Sequence, residues 1–476
     1  MTDPISALPS PLASDPAIAG HIDAIVAAVR SAQSSLTGAR PADPARKESF
    51  EAAMKRVAAV RSRGPILPYL GTGHGNGPLV ELADGSVKWD MINGIGVHAF
   101  GHGDPRMVAA ALRAALSDLC MQGNLTSNSD SVAFAEFLAQ EAARTSRLAH
   151  CFVTNSGCMA NEAALKVCMQ KTGGAPRVIA FQDCFLGRSL TMSQIGDNPA
   201  YRQGLPLSTL VDYMPFYDPL LGPRSIDMAV WHLKQYLHRY PGQHACFVME
   251  LVQGEGGFNV APREFFMALI ETCRQAKVPV WDDEVQSFGR TERMFCFESL
   301  DLGQHVDVVT VGKMTQACAC LFTADMNPKP GLLSGTFTAS TSAFAVGLEA
   351  VRTMRDGGYY GPEGRNAKLH AAFRAHVARL VERHPDWFPP VRDAFGRESR
   401  SFAGGTGGMC RISPFGGDKD RVMKFLNVLF EEGVMAFYCG HGPYHVRMLP
   451  AVGVMRPEQW DPVFEIVERA MARTAG

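Results

Sequence analysis

Short apolar segments alternate with amphipathic helical patterns between about residue 105 and residue 345. The segments are residues 151–153, 178–181, 246–249, 278–281 and 306–311. Short apolar strands that are separated by helices are typical of a mostly parallel sheet with helices on both faces. The pattern therefore predicts an α/β fold for this part of the chain.

The two ends of the chain follow different patterns. Residues 1–60 begin as a loose, proline-rich stretch and continue as a helical pattern. The glycine-rich residues 71–77 predict a flexible turn, whereas Asp84 and Gly85, between two strand-like runs, predict a β-hairpin. Beyond about residue 345 helices dominate, with a few short strands. We expect an N-terminal segment (1–95) that contributes to a small domain, a large domain (96–345) and a C-terminal small domain (346–476).

The composition is that of an ordinary globular protein. Of the 476 residues, 46% are hydrophobic and 20% are charged, and the formal net charge is -1. No basic excess indicates a nucleic acid or an anionic membrane as a partner. The longest uncharged stretch, residues 330–348, is rich in Gly, Ser and Thr and is a poor membrane span. The first twenty residues do not resemble a secretory signal, so we expect a cytoplasmic protein.

The twelve cysteines are irregularly spaced, and several, including Cys168 and Cys246, lie in apolar runs. This distribution predicts buried free thiols in a reducing compartment and not a disulfide framework. Cys318 and Cys320 form a close pair, but no second pair follows at the spacing of a zinc site. Because the chain also has no HExxH motif, we predict no metal.

Polar residues follow each predicted strand, and in a parallel sheet ligands bind at the carboxyl ends of the strands. The first strand is followed by TNSGCMANE, where small residues open a helix. Exposed N–H groups at a helix start form an anion site, although a simple N-cap by Ser156 explains the same residues. Phe185 and Arg188 follow the second strand, either as ligand-binding residues or as a core ring and a surface charge.

The remaining strand ends carry charged groups. Glu250 and Glu255 lie in a glycine-rich loop, where both could be surface charges. Residues 282–284 are three successive acids, which repel one another, so a purely structural role is a poor explanation. Lys313 follows the strand 306–311, at a position where most lysines would simply extend into water.

Together these groups match the needs of pyridoxal 5′-phosphate. Its aldehyde needs a lysine for a Schiff base, and its ring nitrogen needs a carboxylate that keeps the ring protonated. Its phosphate needs a helix N-terminus, and its ring needs an aromatic partner. We therefore infer that Lys313 lies at the end of its strand in order to bond this cofactor.

Several segments resemble those of the class III aminotransferases, in the order of that family. NSGCMANEAALK, FLGRS, ELVQGEGG, DDEVQSFGRT and VTVGK resemble the segments around the cofactor, and HVRMLPAV resembles a late RxxPPL motif. The resemblance extends over roughly residues 65 to 470. It implies a fold-type I pyridoxal-phosphate enzyme with a mostly parallel sheet. It also implies a homodimer, with the active sites at the interface between the subunits.

The resemblance also implies which residues bind the cofactor. Lys313 would form the Schiff base, Asp283 would pair with the ring nitrogen, and Gln286 would lie near the phenolic oxygen. Phe185 would stack on the ring, and Glu250 belongs to the cofactor-binding set.

Further residues would bind the phosphate and the substrates. Gly157 and Cys158 would donate backbone N–H groups to the phosphate, together with Thr336 from the partner subunit. Four residues would bind the substrates. Arg188 would bind the distal carboxylate of 2-oxoglutarate, and Arg447 would bind an α-carboxylate. Glu255 would pair with Arg447 when the donor presents no α-carboxylate, and Ile95 is the fourth residue. Ile95 stands where ornithine-specific members carry a tyrosine, which indicates the acetylornithine or 4-aminobutyrate branches.

The chain departs from the family pattern at several positions near the pocket. One residue is missing between Gln286 and Phe288, Leu251 replaces a proline, and Leu186 replaces a His or Trp. Residues 314–317 replace glycines after the lysine, and residues 338–341 replace a GGNP segment. None of these changes removes a catalytic group, but they bear on the identity of the substrate.

The expected reaction is a ping-pong transamination in which Lys313 is displaced by the amino donor and then moves a proton. A racemase, decarboxylase or aminomutase of the same family would share Lys313 and Asp283. A non-catalytic binding protein is disfavoured because Lys313, Asp283 and Gln286 are all present. A nicotinamide dehydrogenase is disfavoured because no glycine fingerprint follows a strand.

Overall fold

The structure is a computed structural model that describes residues 12, 14–118, 123, 125–393 and 395–475. Within this part the chain forms two compact units. The first unit comprises Ala110–Gly361 with the described residues up to Ile18, and the second comprises Ala19–Ala109 and Pro362–Gly476. The chain passes between the units after Ile18, Ala109 and Gly361, and the domain boundaries near residues 95 and 345 that we expect from the sequence stay predictions.

The strands and helices are as follows in chain order. The strands are β1 (Gly71–Asn76), β2 (Leu79–Leu82), β3 (Val87–Asp90), β4 (Leu148–Thr154), β5 (Arg177–Phe181), β6 (Leu210–Met214), β7 (His244–Met249), β8 (Val252–Gln253), β9 (Asn259–Val260), β10 (Val280–Glu284), β11 (Val308–Val311), β12 (Cys318–Thr323), β13 (Val391–Arg392), β14 (Glu398–Ser399), β15 (Ala403–Thr406), β16 (Met409–Ile412), β17 (Val434–Met435), β18 (Phe437–Cys439) and β19 (His445–Met448). The helices are α1 (Pro16–Gln33), α2 (Lys47–Arg61), α3 (Asn93–Gly96), α4 (Pro105–Ala114), α5 (Ser129–Ala143), α6 (Gly157–Lys171), α7 (Leu190–Ile195), α8 (Pro199–Arg202), α9 (Pro223–Arg239), α10 (Arg263–Gln275), α11 (Cys296–Ser299), α12 (Thr341–Asp356), α13 (Arg365–Arg383), α14 (Lys419–Glu432) and α15 (Trp460–Ala475).

The first unit is built on a seven-stranded sheet in the order β4-β12-β11-β10-β7-β5-β6. The neighbours from β11 to β6 pair in parallel, whereas β12 is antiparallel to both β11 and β4. Strand β4 therefore runs in the same direction as the parallel strands. Every residue of β7, β10, β11 and β12 is buried, and alternate side chains point to opposite faces, so both faces of the sheet are covered.

All five predicted strands lie in this sheet, which confirms the α/β prediction. The sheet also contains two strands that the apolar pattern does not indicate, β6 and β12. Cys318 and Cys320 belong to β12 and are buried in the sheet. Within the described residues no group of three or more potential metal ligands is found.

The second unit contains two four-stranded sheets, in the orders β1-β2-β3-β17 and β15-β16-β19-β18. The hairpin predicted at Asp84 and Gly85 is confirmed, because β2 and β3 pair antiparallel around it. The flexible turn predicted for residues 71–77 is wrong, because Gly71–Asn76 forms β1. Its pairing with β2 supplies the tertiary hydrogen bonds that override the low strand propensity of glycine.

Every cysteine that the structure describes is a free thiol, as the spacing predicts. Cys168 and Cys246 lie in the core around the central sheet. None of the helices that the structure describes is both long enough and apolar enough to cross a membrane.

Candidate active site

Segments that carry the predicted functional residues meet at one edge of the seven-stranded sheet. Strands β4, β5, β7, β10 and β11 all run in one direction, so the residues that follow them lie at the same carboxyl edge. The groups at this edge extend from the start of helix α6 to the lysine after β11.

Helix α6 begins at Gly157, directly after β4. Ser156 caps the helix, since its Oγ accepts a hydrogen bond from the backbone N–H of Met159 at 3.3 Å. A side chain at Gly157 would place its Cβ 2.6 Å from Cγ1 of Val285, so only glycine fits. The N–H groups at the start of a helix have no partner within the helix, and they form an anion site beside this contact.

Lys313 lies at the end of β11 and opens a short 3-10 turn (Lys313–Thr315) with a φ of 54°. A positive φ is uncommon for a residue with a side chain, and such strain is concentrated at functional sites. Burial raises the pKa values of the carboxyl groups of Asp283 and Glu250, and the positive charge of Lys313 offsets part of this rise in both. The structure therefore brings the lysine within electrostatic range of both acids.

Asp283 is buried near the end of β10, the neighbour of β11. Its carboxylate accepts hydrogen bonds from the backbone N–H of Val285 at 2.9 Å and from Nδ2 of Asn161 at 2.7 Å. Burial raises the pKa of Asp283, while these two hydrogen bonds and the charge of Lys313 act in the opposite direction. A cationic group next to this carboxylate would favour its ionised form.

Asn161 is a site residue that the strand-end pattern of the sequence does not indicate. It lies one helical turn into α6 and donates to Asp283 and, at 2.7 Å, to the backbone carbonyl of Leu186. Its amide therefore links the aspartate to the loop after β5. Asn161 lies inside the NSGCMANEAALK segment, so its position in that motif is the available sequence signal.

Glu250 connects two of the loops at this edge. One oxygen accepts a hydrogen bond from the backbone N–H of Phe185 at 3.0 Å, and the other accepts from Gly254 at 2.9 Å. Burial, reinforced by the nearby charge of Asp283, raises the pKa of Glu250 to about 8. Its oxygens hold the loops after β5 and β7 together.

Gln286 follows β10 and is buried, with its Oε1 lacking a hydrogen-bond partner. Its amide lies against Gly254, where a Cβ would come within 2.4 Å of Nε2. A buried amide that lacks one partner is costly unless a ligand completes its hydrogen bonds. This side chain therefore points to a polar ligand at the edge of the sheet.

Aromatic and cationic groups meet in the loop after β5. The rings of Phe185 and Tyr201 are 5.4 Å apart and nearly perpendicular. The guanidinium of Arg188 lies 3.8 Å from the centre of the Tyr201 ring and 5.7 Å from that of Phe185. Tyr201, which no sequence motif indicates, thus orients an otherwise exposed arginine through a cation–π contact.

The three successive acids of β10 are separated by the alternation of the strand. Asp282 and Glu284 point to the face opposite Asp283, and both are completely buried. Burial raises both pKa values, that of Glu284 to about 7, and Glu284 accepts from the backbone N–H groups of Cys296 and Phe297. Only Asp283 therefore lies on the side of the strand that carries Asn161 and Lys313.

Two further predicted residues lie in loops of the first unit. Glu255 is partly buried in the loop after β7, and Thr336 is exposed. The backbone of Thr336 borders Gly123, where a Cβ would come within 2.6 Å of its carbonyl oxygen.

The remaining predicted residues belong to the second unit. Ile95 lies in α3 with a φ of 61°, which is a rare conformation for a β-branched residue. Arg447 is completely buried in β19, and its guanidinium lies 5.5 Å from the centre of the Phe437 ring.

The residues of the first unit fit pyridoxal phosphate. The N-terminus of α6 offers N–H groups for a phosphate, and Asp283 offers a hydrogen-bonded carboxylate for a ring nitrogen. Gln286 has an unpartnered amide oxygen, and Lys313 supplies an amine in electrostatic range of Asp283. The donor set thus matches each polar group of the cofactor.

Comparison with known proteins gives the same assignment. The family model described as "Aminotransferase class-III" matches residues 61–471. A diaminobutyrate–2-oxoglutarate transaminase from Streptomyces avermitilis is 28% identical over 404 residues, which cover 82% of this chain and 90% of that protein. An acetylornithine aminotransferase from Myxococcus xanthus is 30% identical over 320 residues, which cover 64% of this chain and 75% of that protein.

Solved structures show the same fold. The ornithine aminotransferase from Toxoplasma gondii superimposes with a TM-score of 0.75 at 22% identity, covering 90% of this chain and 95% of that chain. The family match includes every site segment described above, from the start of α6 to the lysine after β11. The chain therefore belongs to the class III aminotransferases and is a pyridoxal-phosphate-dependent transaminase.

Proposed function

We propose that this transaminase moves an amino group from an ω-amino donor, similar to acetylornithine or 4-aminobutyrate, to 2-oxoglutarate in a ping-pong reaction. The observation that carries the proposal is that Lys313, in the turn after β11, acts electrostatically on Asp283 of the neighbouring parallel strand β10, which Asn161 holds. The printed names of the relatives support the substrate class, since they include diaminobutyrate–2-oxoglutarate transaminase and acetylornithine aminotransferase.

In this proposal each group at the sheet edge has one task. The cofactor, when bound, supplies an aldehyde that bonds amines and a ring that withdraws electrons from the reacting carbon. Asp283 would hold a proton on the ring nitrogen, and Gln286 would hydrogen-bond the phenolic oxygen. Phe185 would pack on the ring, and Glu250, which bonds the backbone N–H groups of Phe185 and Gly254, keeps the loops after β5 and β7 together.

The phosphate would bind at the start of α6. The backbone N–H groups of Gly157 and Cys158 would donate to it, and the helix dipole favours negative charge there. Thr336 of the partner subunit would donate a further hydrogen bond.

Lys313 has two functions in succession. Its amine would bond the aldehyde of the cofactor, and the amino donor would displace it. The freed amine of Lys313 would then accept a proton from the donor carbon and return it on the cofactor side.

Two arginines would recognise the keto acid. Arg188, oriented by Tyr201, would bind the distal carboxylate of 2-oxoglutarate, and Arg447 would bind the α-carboxylate. Glu255 would pair with Arg447 while an ω-amino donor occupies the site. Ile95, in place of a tyrosine, favours acetylornithine or 4-aminobutyrate over ornithine.

A homodimer is part of the proposal, and exposed apolar side chains around the site support it. Leu125, Met159, Leu190 and Phe337 are all exposed. Met159 belongs to the first turn of α6, and Phe337 lies close to it in space, because Asn155 donates a hydrogen bond to the carbonyl of Phe337 at 3.4 Å. Apolar patches next to a site that needs a partner residue are typical of a subunit interface.

The alternative is a racemase, decarboxylase or aminomutase of the same family, which would use the same lysine and aspartate. The cation–π contact of Arg188 with Tyr201 favours transamination, because it holds an arginine in place for a dicarboxylic acceptor. Product formation that does not depend on a keto acid would support the alternative.

The visible absorbance of the purified holoenzyme tests the proposal. We expect single amino donors to bleach the band of the bound cofactor without a keto acid, and 2-oxoglutarate to restore it. A band that persists while the amine is consumed would show that the reaction is not a transamination. Lys313→Ala should lose turnover, whereas Lys329→Ala, on the surface of the same unit, should retain it.

A further inference from the structure

Strand β11 carries a single hydroxyl group among valines. Its residues 308–311 read VVTV, and all of them are completely buried. Threonine has a hydroxyl group where valine has a methyl group, and a buried hydroxyl costs free energy unless it is hydrogen-bonded. The presence of Thr310 in this strand must therefore be explained by the groups that its hydroxyl contacts.

Two side chains of the neighbouring strand β10 supply these contacts. Thr310 lies opposite Asp283 in the pairing of β11 with β10, so the two side chains are on the same face of the sheet. Trp281 lies two residues before Asp283 and therefore shares this face. It is completely buried, and its indole Nε1 donates a hydrogen bond to Oγ1 of Thr310 at 3.1 Å.

The chemistry of the three groups determines the direction of their hydrogen bonds. An indole N–H can only donate, an ionised carboxylate can only accept, and a hydroxyl has one proton to donate. Oγ1 of Thr310 therefore accepts from Trp281 and donates its own proton to Asp283. Burial raises the pKa of Asp283, and the side-chain hydrogen bond with Thr310 is one of the interactions that oppose this rise.

The indole also strengthens the hydrogen bond that Thr310 makes with Asp283. A hydroxyl that accepts one hydrogen bond becomes a better donor in the next, because successive hydrogen bonds polarise each other where the dielectric constant is low. Trp281, Thr310 and Asp283 are all buried, so water does not weaken this effect. The three side chains thus form a continuous series of hydrogen bonds that ends at the carboxylate.

Thr310 completes the set of groups that hold this carboxylate. The backbone N–H of Val285 bonds Oδ1 of Asp283 at 2.9 Å, and Asn161 of α6 bonds Oδ2 at 2.7 Å. Thr310 adds a donor from a third element, strand β11. Lys313 follows Thr310 by three residues, so the strand that leads to the lysine also holds the aspartate.

We propose that Thr310 and Trp281 are positioning residues for Asp283, with the indole orienting the hydroxyl and the hydroxyl donating to the carboxylate. This inference rests on the proposed function, in which Asp283 holds a proton on the ring nitrogen of pyridoxal phosphate. A carboxylate that is kept ionised by hydrogen bonds pairs well with a protonated ring nitrogen. Thr310 and Trp281 would act through Asp283 and not by touching the cofactor.

The affinity of the apoenzyme for two cofactors, measured by absorbance titration, tests this role. One is pyridoxal phosphate, and the other is its analogue with a carbon atom in place of the ring nitrogen, which offers Asp283 no N–H. We expect Thr310→Val to weaken the binding of pyridoxal phosphate about 10-fold in Kd and that of the analogue less than about twofold. Thr310→Ser keeps the hydroxyl and should bind both like the parent. Damage that is purely structural would weaken the binding of both cofactors equally.

A double variant separates the loss of the hydroxyl from damage to the core. Thr310→Val leaves the indole N–H of Trp281 buried without a partner, which destabilises the fold. Trp281→Phe/Thr310→Val removes both polar groups, and we expect it to lose affinity for pyridoxal phosphate selectively, as Thr310→Val does. Trp281→Phe alone should show a smaller selective loss, because its hydroxyl can still donate to Asp283. Where Thr310→Val does not fold, the double variant carries the same test.

The chain offers a matched control for each substitution. Thr323→Val removes another buried hydroxyl of the central sheet, which donates to the carboxylate of Asp325 at 2.7 Å. Trp460→Phe, in the second unit, removes a completely buried indole N–H that donates to the carbonyl of Leu369 at 3.0 Å. Both controls should leave the ratio of the two Kd values unchanged.

The outcomes distinguish this inference from the proposed function. If Thr310→Val and the double variant bind pyridoxal phosphate within about twofold of the parent, or lose affinity for both cofactors alike, the inference is wrong. Asp283→Asn should weaken the binding of pyridoxal phosphate selectively. If it does so and the Thr310 variants do not, only the inference fails. If Asp283→Asn also binds both cofactors like the parent, the role of Asp283 in the proposed function is wrong and the inference falls with it.

Discussion

At the scale of single residues, the site depends on contacts that no short motif contains. Lys313 and Asp283 can be identified from the sequence, because each follows or ends an apolar strand. Asn161 can be connected to Asp283 only in three dimensions, since the two residues lie 122 positions apart. Tyr201 is likewise linked to Arg188 by a loop conformation, so its role could not be predicted from spacing.

Replacing Asn161 should damage catalysis more than stability. In Asn161→Ala the carboxylate of Asp283 loses the 2.7 Å hydrogen bond that favours its charged form. We expect kcat to fall about 10- to 100-fold, the equivalent of one hydrogen bond to a charged group. Steady-state kinetics measure this effect. Asn76→Ala, which removes an amide with two backbone carbonyl partners in the second unit, is the control and should leave kcat unchanged.

Glu250 should make the apoenzyme less stable as the pH rises. Its pKa in the folded protein is about 8, against 4.5 ordinarily, because it is buried near Asp283. A raised pKa means that folding takes up a proton, so this contribution to stability is present below about pH 4.5 and lost as the pH rises through 8. Glu250→Gln is neutral at every pH and lacks this loss.

Thermal unfolding of the apoenzyme at about pH 6 and about pH 9 measures the difference. We expect the Tm of the parent to fall more between these values than the Tm of Glu250→Gln. Glu264→Gln, at an exposed position of α10, should behave like the parent. Parallel pH dependences for the parent and Glu250→Gln would show that this carboxyl group is ionised throughout.

At the scale of the elements, the apolar pattern predicts five of the seven strands of the central sheet and misses β6 and β12. Strand β6 escapes this pattern because Asp212 lies in its middle. Asp212 is nevertheless buried, since Arg177 bonds its two oxygens at 2.6 and 2.7 Å and His244 bonds it at 2.9 Å. The side chains that stabilise the buried aspartate of β6 lie on other strands, so the sequence of β6 itself does not indicate a buried strand.

The start of α6 gives a prediction at the same scale. In Gly157→Ala the new methyl group lies 2.6 Å from Cγ1 of Val285, which belongs to the segment after β10. The helix start and the Asp283 segment must move apart, so we expect the affinity for pyridoxal phosphate to fall at least about 10-fold. Titration of the apoenzyme with the cofactor, followed by absorbance, measures this change.

A second substitution identifies the cause of that loss. Val285→Ala removes the two methyl groups that the new side chain would contact, so the double variant Gly157→Ala/Val285→Ala should recover most of the affinity. Gly64→Ala is the control, because no atom lies within 4 Å of its added methyl group. If the double variant binds no better than Gly157→Ala, the contact with Val285 is not the reason for the glycine.

At the scale of the whole molecule, the order of several weak motifs predicts the family better than any single motif. The resemblance extends over roughly residues 65 to 470, and the family match over residues 61–471 confirms it. The boundaries of the two compact units are harder to recognise in the sequence, because helices α1 and α4 each continue across one of them. No repeating pattern in the sequence indicates how the chains assemble, so the homodimer is a proposal that rests on exposed apolar residues.

Mixed dimers test whether two chains share each site. Lys313→Ala lacks the catalytic amine, and Thr336→Asp places a negative charge where Thr336 of the partner subunit would meet the phosphate, so each variant alone should be inactive.

In a mixed dimer, one site combines the intact Lys313 of one chain with the intact Thr336 of the other. An equal mixture of the two variants, after subunit exchange, should regain about one quarter of the parent activity. Sedimentation should give twice the chain mass of 51.6 kDa. If Thr336 instead acted within its own chain, neither site of the mixed dimer would be complete and the mixture would stay inactive.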